Sequence, residues 1–107
     1  MATFTITHTQ ILDNVATVQT LTSNTVEVGQ EFTISGNATF NGTYVCTARP
    51  EYLFIGVDEY GDYLYDYNEI ILNQVQFAKT AANQERAAST GTLTHTIVCT
   101  WISNSDV

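Results

Sequence analysis

The residues best suited to chemistry lie close together in one stretch of this sequence, residues 58–69, where carboxylates alternate with tyrosines. Calcium takes about six to eight oxygen ligands, and three Asp fall within nine residues here, but the spacing lacks the regular acidic loop and terminal Glu of an EF-hand. We therefore expect no metal and no other cofactor. The acids are Asp58, Glu59, Asp62, Asp66 and Glu69, and the tyrosines are Tyr60, Tyr63, Tyr65 and Tyr67.

The four tyrosines of this stretch are the candidate site, and the chemistry that they suggest is protein contact. Alternate residues of a strand share a face, so Tyr63, Tyr65 and Tyr67 place three rings on one side of a hairpin. Tyrosine is rigid, amphipathic and enriched at interfaces. The alternative is a solvated hairpin whose rings pack along its own strand.

Nucleophilic catalysis would need a thiol and a histidine to meet, and nothing local brings them together. Cys46 and Cys99 both lie in strand-like segments, and free buried thiols are favoured over a bridge between two sheets. His8 and His95 fall on the apolar sides of their strands, where a hydrogen-bonded histidine is more common than a ligand. We expect no catalytic residues, and the chain is predicted not to be an enzyme.

Sugar binding is a further alternative, and Trp101 is the residue that suggests it. A lone Trp on the apolar face of a strand is more often part of the core. The glycosidase mechanism needs one carboxylic acid with a raised pKa in a pocket, whereas the acids here lie in polar, turn-like sequence.

Length and charge limit the possible partners of the chain. With 107 residues it is long enough for one domain, residues 1–107, with a core of its own. The formal net charge is −8, and the cations Arg49, Lys79 and Arg86 are scattered, which argues against nucleic acid. The first eight residues lack the pattern of a secretory signal, and no long apolar run predicts a membrane span.

Hydrophobic alternation with period two predicts strands along most of the chain. Turn residues separate them, among them Asp13-Asn14, Gly29 and Asn41-Gly42, the last predicting a tight hairpin. Residues 1–12 are a possible N-terminal strand or arm, 68–77 one more strand or a crossing segment, and 78–90 a short helix or an ordered loop. The predicted strands cover residues 3–9, 15–22, 31–35, 43–48, 52–57, 63–67 and 92–102.

These elements predict an all-β fold with a single small antiparallel sandwich or barrel. Strands at intervals of about 8–12 residues are typical of such folds. The helical content is expected to be at most one short helix near residues 78–90.

Three runs of residues resemble a small β module of tailed-bacteriophage structural proteins. They are Val15-Ala16-Thr17-Val18, the segment from Val28-Gly29 through Thr33-Ile34-Ser35-Gly36, and Phe40-Asn41-Gly42-Thr43-Tyr44-Val45. The resemblance implies an Ig-like domain, present as repeats in tail and fibre proteins and as single copies in small virion proteins.

The function that this resemblance implies is that of a non-catalytic virion subunit. A capsid decoration protein that stabilises the head lattice is expected first, and a tail, baseplate or head-to-tail connector component is the alternative. Its partners would be phage capsid or tail proteins and further copies of itself. The protein would be made in the host bacterial cytoplasm and reside in the virion.

Overall fold

The structure is a computed structural model that describes residues 2–95, and these residues form nine strands. Seven of the strands belong to one antiparallel sheet, and β5 and β6 form a separate two-stranded hairpin. The strands are β1 (Ala2–Leu12), β2 (Val15–Thr20), β3 (Glu31–Ser35), β4 (Gly42–Val45), β5 (Tyr52–Val57), β6 (Tyr63–Ile70), β7 (Gln74–Ala78), β8 (Gln84–Ala88) and β9 (Thr92–His95).

Strand β1 is the centre of the large sheet because its two halves pair with different neighbours. Its first half pairs with β9, from Ala2 opposite His95 to Thr5 opposite Thr92. Its second half pairs with β8, and β2 pairs along the other edge. A register shift between Ile6 and His8 marks an irregularity where the change of neighbour occurs. Such bulges bend a strand, so β1 can belong to both halves of a curved sheet.

The large sheet curves until its two outer strands approach each other. The strand order is β4-β3-β9-β1-β2-β7, with β8 beside β1. Ala48, just beyond β4, forms a bridge with Gln76 of β7 through two backbone bonds, Thr47 N–H to the Gln76 carbonyl at 2.8 Å and Gln76 N–H to the Ala48 carbonyl at 2.9 Å. The sheet is therefore nearly closed and barrel-like, and the prediction of an all-β sandwich or barrel is confirmed.

Aromatic rings fill the space that this sheet encloses. Phe77 packs edge-on against Phe32 at 5.2 Å between ring centroids and lies 4.2 Å from the Tyr44 ring. Lys79 places its ammonium 5.7 Å from the Tyr44 ring on the outside. Around these rings lie the aliphatic residues Ile6, Ile11, Ala16, Val18, Val26, Ile34, Val75 and Leu93, together with Phe40 and Cys46.

Two of the predicted turns have the expected geometry, and one does not. Asp13 and Asn14 both have positive φ, 52° and 63°, as a two-residue hairpin requires. Gly29 has φ 91° in the turn before β3. The tight hairpin predicted at Asn41-Gly42 is wrong, because β3 ends at Ser35 and six residues separate it from β4.

The reason for that longer connection is the Asn37 side chain. Its Oδ1 accepts hydrogen bonds from the Thr39 and Phe40 N–H groups at 3.1 and 3.2 Å, and its backbone carbonyl accepts one from the Asn41 N–H at 2.8 Å. Residues 37–41 thus form a turn of their own, and Phe40 enters the core instead of extending a strand.

The second half of the chain contains more strand than the pattern indicated. Residues 63–70 form one long strand, and a separate strand begins at Gln74. Within 78–90, where a short helix or loop was expected, residues 84–88 form β8 against β1. Of the last predicted strand, 92–95 is β9; the remainder, with Cys99 and Trp101, lies outside the described residues. Within residues 2–95, no helix is long and apolar enough to cross a membrane.

His95 has the structural surroundings that the sequence indicated, whereas His8, placed by alternation on the apolar side of β1, lies beside polar residues such as Gln10, Gln19 and Arg86, after the register shift that follows Ile6. His95 is buried, with Nδ1 2.8 Å from the Thr25 hydroxyl oxygen, and burial lowers its pKa. His8 is half-buried, with Nδ1 3.1 Å from the Thr7 hydroxyl oxygen; burial, and secondarily the charge of Arg86, lowers its pKa.

A glycine at position 91 is required by close contact as well as by its backbone. Its φ is 126°, and a Cβ there would meet the Ser35 carbonyl oxygen at 3.0 Å and the Asn37 Cβ at 3.1 Å. We expect Gly91→Ala to lower the free energy of unfolding by about 1–3 kcal/mol, measured by urea unfolding. Gly29→Ala is the control, since Gly29 has positive φ but open space around it. An equal loss in both variants would show that contact adds nothing to the backbone strain.

The lowered pKa of His95 predicts a loss of stability in mild acid. The unfolded chain takes up a proton near pH 6.5 while the folded one resists it, so stability falls as pH drops below about 7. His95→Asn can keep a hydrogen bond to Thr25 without titrating in this range. We expect Tm to fall less between pH 7 and 5.5 in this variant than in the wild type; parallel curves would contradict the assignment.

Candidate functional site

The β5–β6 hairpin contains the predicted site and is built around an ordered turn. Asp58 Oδ1 accepts hydrogen bonds from the Tyr60 and Asp62 N–H groups at 2.8 and 2.9 Å. The Gly61 N–H donates to the Asp58 carbonyl at 3.1 Å, and φ of Gly61 is 85°. The Asp58 carboxylate therefore has a structural role in closing the turn.

One face of the hairpin packs toward the large sheet. Phe54, 1% exposed, is its anchor, with ring centroids 5.3 Å from Tyr63 and 5.7 Å from Tyr65. The register explains this, since Phe54 lies opposite Tyr65, and Val57 lies opposite Tyr63. The Tyr63 and Tyr65 rings thus cover Phe54 on the side of the hairpin that faces its own domain.

The surface beneath the hairpin is a layer of buried polar side chains that the sequence reading did not identify. Gln10, Thr17, Gln74 and Gln76 are each at most 6% exposed. Their neighbours in the strands, such as Ile11, Val18, Val75 and Phe77, belong to the core on the other side of the sheet. The signal was present in Gln74-Val75-Gln76-Phe77, where polar and apolar residues alternate strictly.

Hydrogen bonds from this polar layer hold the hairpin in place. Gln10 Nε2 donates to the Phe54 carbonyl at 3.0 Å, and the Val57 N–H donates to Asp13 Oδ2 at 2.9 Å. Gln74 Nε2 donates to the carbonyls of Tyr52 and Ile71 at 2.9 and 3.1 Å. The hairpin therefore docks through its backbone as well as through the Phe54 ring.

The Tyr65 hydroxyl continues the same network. It donates to Gln76 Oε1 at 2.7 Å, and Gln76 Nε2 donates in turn to the Thr17 hydroxyl at 3.0 Å. Desolvation by burial, with smaller effects of Tyr63 and Tyr67, raises the pKa of Tyr65 to about 12. The phenol keeps its proton at physiological pH and remains a donor.

The four predicted contact residues therefore fall into two pairs. Tyr63 and Tyr65 are half-buried against Phe54, whereas Tyr60 and Tyr67 are 82% and 69% exposed. Tyr67 also packs edge-on against Tyr52, with centroids 4.8 Å apart. Contact with another protein remains a prediction for all four, and the accessible rings are those of Tyr60 and Tyr67.

Apolar side chains that the sequence reading did not single out add to the exposed surface of the hairpin. Ile55 at 52%, Leu64 at 42% and Ile70 at 69% are more exposed than is usual for large aliphatic residues. On the inward side, an open groove of about 380 Å³ is lined by Tyr52, Tyr65, Tyr67 and the segment 48–51. The hairpin thus exposes apolar groups beyond its tyrosines.

Charge on the hairpin has one sign only. Residues 50–78 contain six of the eleven acids and none of the three cations. Arg49 donates to the Asn24 carbonyl at 3.3 Å, Lys79 lies over the Phe40 and Tyr44 rings, and Arg86 bonds to Gln19. The charges of the hairpin itself are therefore negative, while Arg49 lines the groove beside Tyr65 and Tyr67, and Arg86 lines a groove beside Phe54 and Ile55.

Other residues considered for chemistry are dispersed. Among residues 2–95, no three His, Cys, Asp or Glu side chains lie close enough together to hold a metal ion. Cys46 is buried in the core, its thiol donates to the Ala48 carbonyl at 3.4 Å, and burial raises its pKa. Asp66 Oδ1 accepts from the Asn68 N–H at 3.0 Å.

No family model, curated protein or solved structure matches this chain.

The Tyr65–Gln76 bond predicts that one hydroxyl group matters to folding. Tyr65→Phe keeps the ring on Phe54 but leaves the buried Gln76 Oε1 without its donor, which typically costs about 1–3 kcal/mol. We expect a lower urea midpoint than in the wild type. Tyr63→Phe is the matched control, because the described residues give the Tyr63 hydroxyl no hydrogen bond.

A double variant tests the same bond from the other side. Removing both polar partners in Tyr65→Phe/Gln76→Leu should destabilise less than the sum of the two single changes, since each single change leaves a buried polar group unpaired. Additive losses, or equal midpoints for Tyr65→Phe and Tyr63→Phe, would contradict the network.

Proposed function

We propose that this chain is a non-catalytic structural subunit of a tailed-phage particle that attaches to a larger protein lattice through its β5–β6 hairpin. Capsid decoration is the role proposed first. The hairpin would supply the contact surface, and the nearly closed sheet would supply a rigid base for it.

The observation that carries the proposal is the combination of exposed apolar and acidic groups on a hairpin fixed to the sheet. Tyr60 and Tyr67 expose most of their ring surface, and Ile55 and Leu64 expose about half of theirs. Rings held on a rigid strand lose little conformational entropy on binding, which favours Tyr as an anchor. The phage-like turn and strand motifs of residues 15–45 support the choice of particle.

The proposed mechanism is stabilisation by buried area. A specific interface usually buries about 1,200–2,000 Å², so a chain of this size commits a large share of its surface or relies on many identical copies. A decoration subunit on a lattice has such repetition. Contacts between copies of this chain would add to it.

The test is binding of the isolated protein to phage particles depleted of it, measured by co-sedimentation. We expect Tyr60→Ala and Tyr67→Ala to weaken binding roughly thirtyfold or more, the effect of losing about 2 kcal/mol at an interface anchor. The urea midpoint of Tyr60→Ala should stay at the wild-type value. Val28→Ala is the matched control, a 63% exposed apolar residue in a turn outside the hairpin.

The copy number in purified particles separates the two locations. Hundreds of copies per particle place the protein on the head, and a few to some dozens place it in the tail or neck. Absence from purified particles, or equal binding by all three variants and the wild type, would refute the proposal.

A further inference from the structure

We propose that the open edge of β6 accepts an extended, positively charged segment of the partner protein as an added β-strand. This inference rests on the proposed function, since it specifies how the hairpin would be recognised. It concerns the backbone of β6 and the carboxylates along it, which the tyrosine site leaves unused.

The register of the hairpin shows which backbone groups face the open edge. In an antiparallel pair, residues alternate between those bonded across the pair and those whose N–H and C=O groups point away from it. The Phe54 carbonyl and the Val57 N–H point away from β6, since they bond to Gln10 and Asp13. Their partners Tyr65 and Tyr63 therefore direct their own backbone groups to the outer edge of β6.

The backbone groups along the two edges of the hairpin differ in their hydrogen-bond partners. The β5 edge is covered by the side chains of Gln10 and Asp13. The β6 edge has no strand partner other than β5 among residues 2–95. Its regular part is Tyr63–Asp66, because the register shifts between Leu53, opposite Asp66, and Tyr52, opposite Ile70. This part contains no Pro or Lys, which are common protections against strand addition.

Charge decides between the possible occupants. A second copy that added its own β6 would bring Asp62 and Asp66, which share one face of the strand, against the same two acids, and like charges across strands are destabilising. A strand with Lys or Arg at alternate positions would neutralise them. Main-chain bonds then give affinity, and the acids select the partner.

Amide hydrogen exchange of the ¹⁵N-labelled protein can detect such a strand residue by residue. The probe is acetyl-Lys-Val-Lys-Val-Lys-Val-Lys-amide, and the control is the same peptide with Glu in place of Lys. We expect the basic peptide to slow exchange of the Tyr63 and Tyr65 amides by about tenfold or more. The Leu64 and Asp66 amides, bonded to β5, should already be protected without peptide.

A second variant tests the charge argument without removing any strand. Asp62→Asn/Asp66→Asn keeps side chains of nearly the same size and an Oδ1 acceptor for the Asn68 N–H. We expect it to fold normally and to need several times more basic peptide for the same protection.

Three results would overturn the inference: no added protection at saturating peptide, equal protection by the acidic peptide, or protection of Tyr63 and Tyr65 by self-association alone. Each of them leaves the proposed function standing if the chain still binds particles through Tyr60 and Tyr67. If the basic peptide protects the Tyr63 and Tyr65 amides but the chain does not bind particles, the proposed function is refuted instead.

Discussion

Backbone hydrogen bonding along β1 is the interaction on which the rest of this molecule depends. Its first half completes a sheet with β9 and β3, and its second half completes one with β8, β2 and β7. The irregularity between Ile6 and His8 joins the halves at an angle, so that a single layer of strands encloses the Phe32 and Phe77 rings. The Ala48–Gln76 bridge and the packing of Phe77 on Phe32 and Tyr44 also join the two halves.

The hairpin is attached by a different kind of contact. Phe54 supplies one buried apolar anchor, while Gln10 and Gln74 donate hydrogen bonds to backbone carbonyls and Gln76 accepts one from the Tyr65 hydroxyl. Such a layer fixes orientation, because each amide accepts only certain geometries. It also carries a cost, since Gln10 Oε1 is buried without a hydrogen-bond partner within the described part of the chain. The polar layer therefore fixes the orientation of the hairpin, while the unpaired Gln10 Oε1 reduces its contribution to stability.

Much of the fold could be predicted from local pattern, and the errors have identifiable causes. Residues 31–35 and 52–57 alternate and end at turn residues, so β3 and β5 were predicted with their bounds. β8 was not, because Ala, Gln, Glu and Arg favour helix, and only the pairing edge of β1 makes them a strand. At Asn41-Gly42 the dipeptide indicated a tight turn, while the Asn37 side chain, four residues earlier, determined the connection.

In the candidate site, too, local sequence pattern predicted some features, and contacts between separate strands determined the others. Alternation predicted that Tyr63 and Tyr65 share a face, but it could not show that the face lies on Phe54 and the glutamine layer. That depends on contacts with Gln10, which is 44 residues from Phe54, and with Gln76, which belongs to a different strand. Tyr60 lies in the turn that Asp58 closes, and Tyr67 packs on Tyr52.

The long separation along the chain between β1 and two of its partners has a consequence for synthesis on the ribosome. β2 follows β1 at once, but the partners for its other edge, β8 and β9, are made more than seventy residues later. At about 5–20 residues per second, that edge stays unpaired for seconds in the nascent chain. Pairings over such distances also slow folding. The Thr side chains at alternate positions of residues 3–9 make one face of β1 polar during the time in which this edge is unpaired.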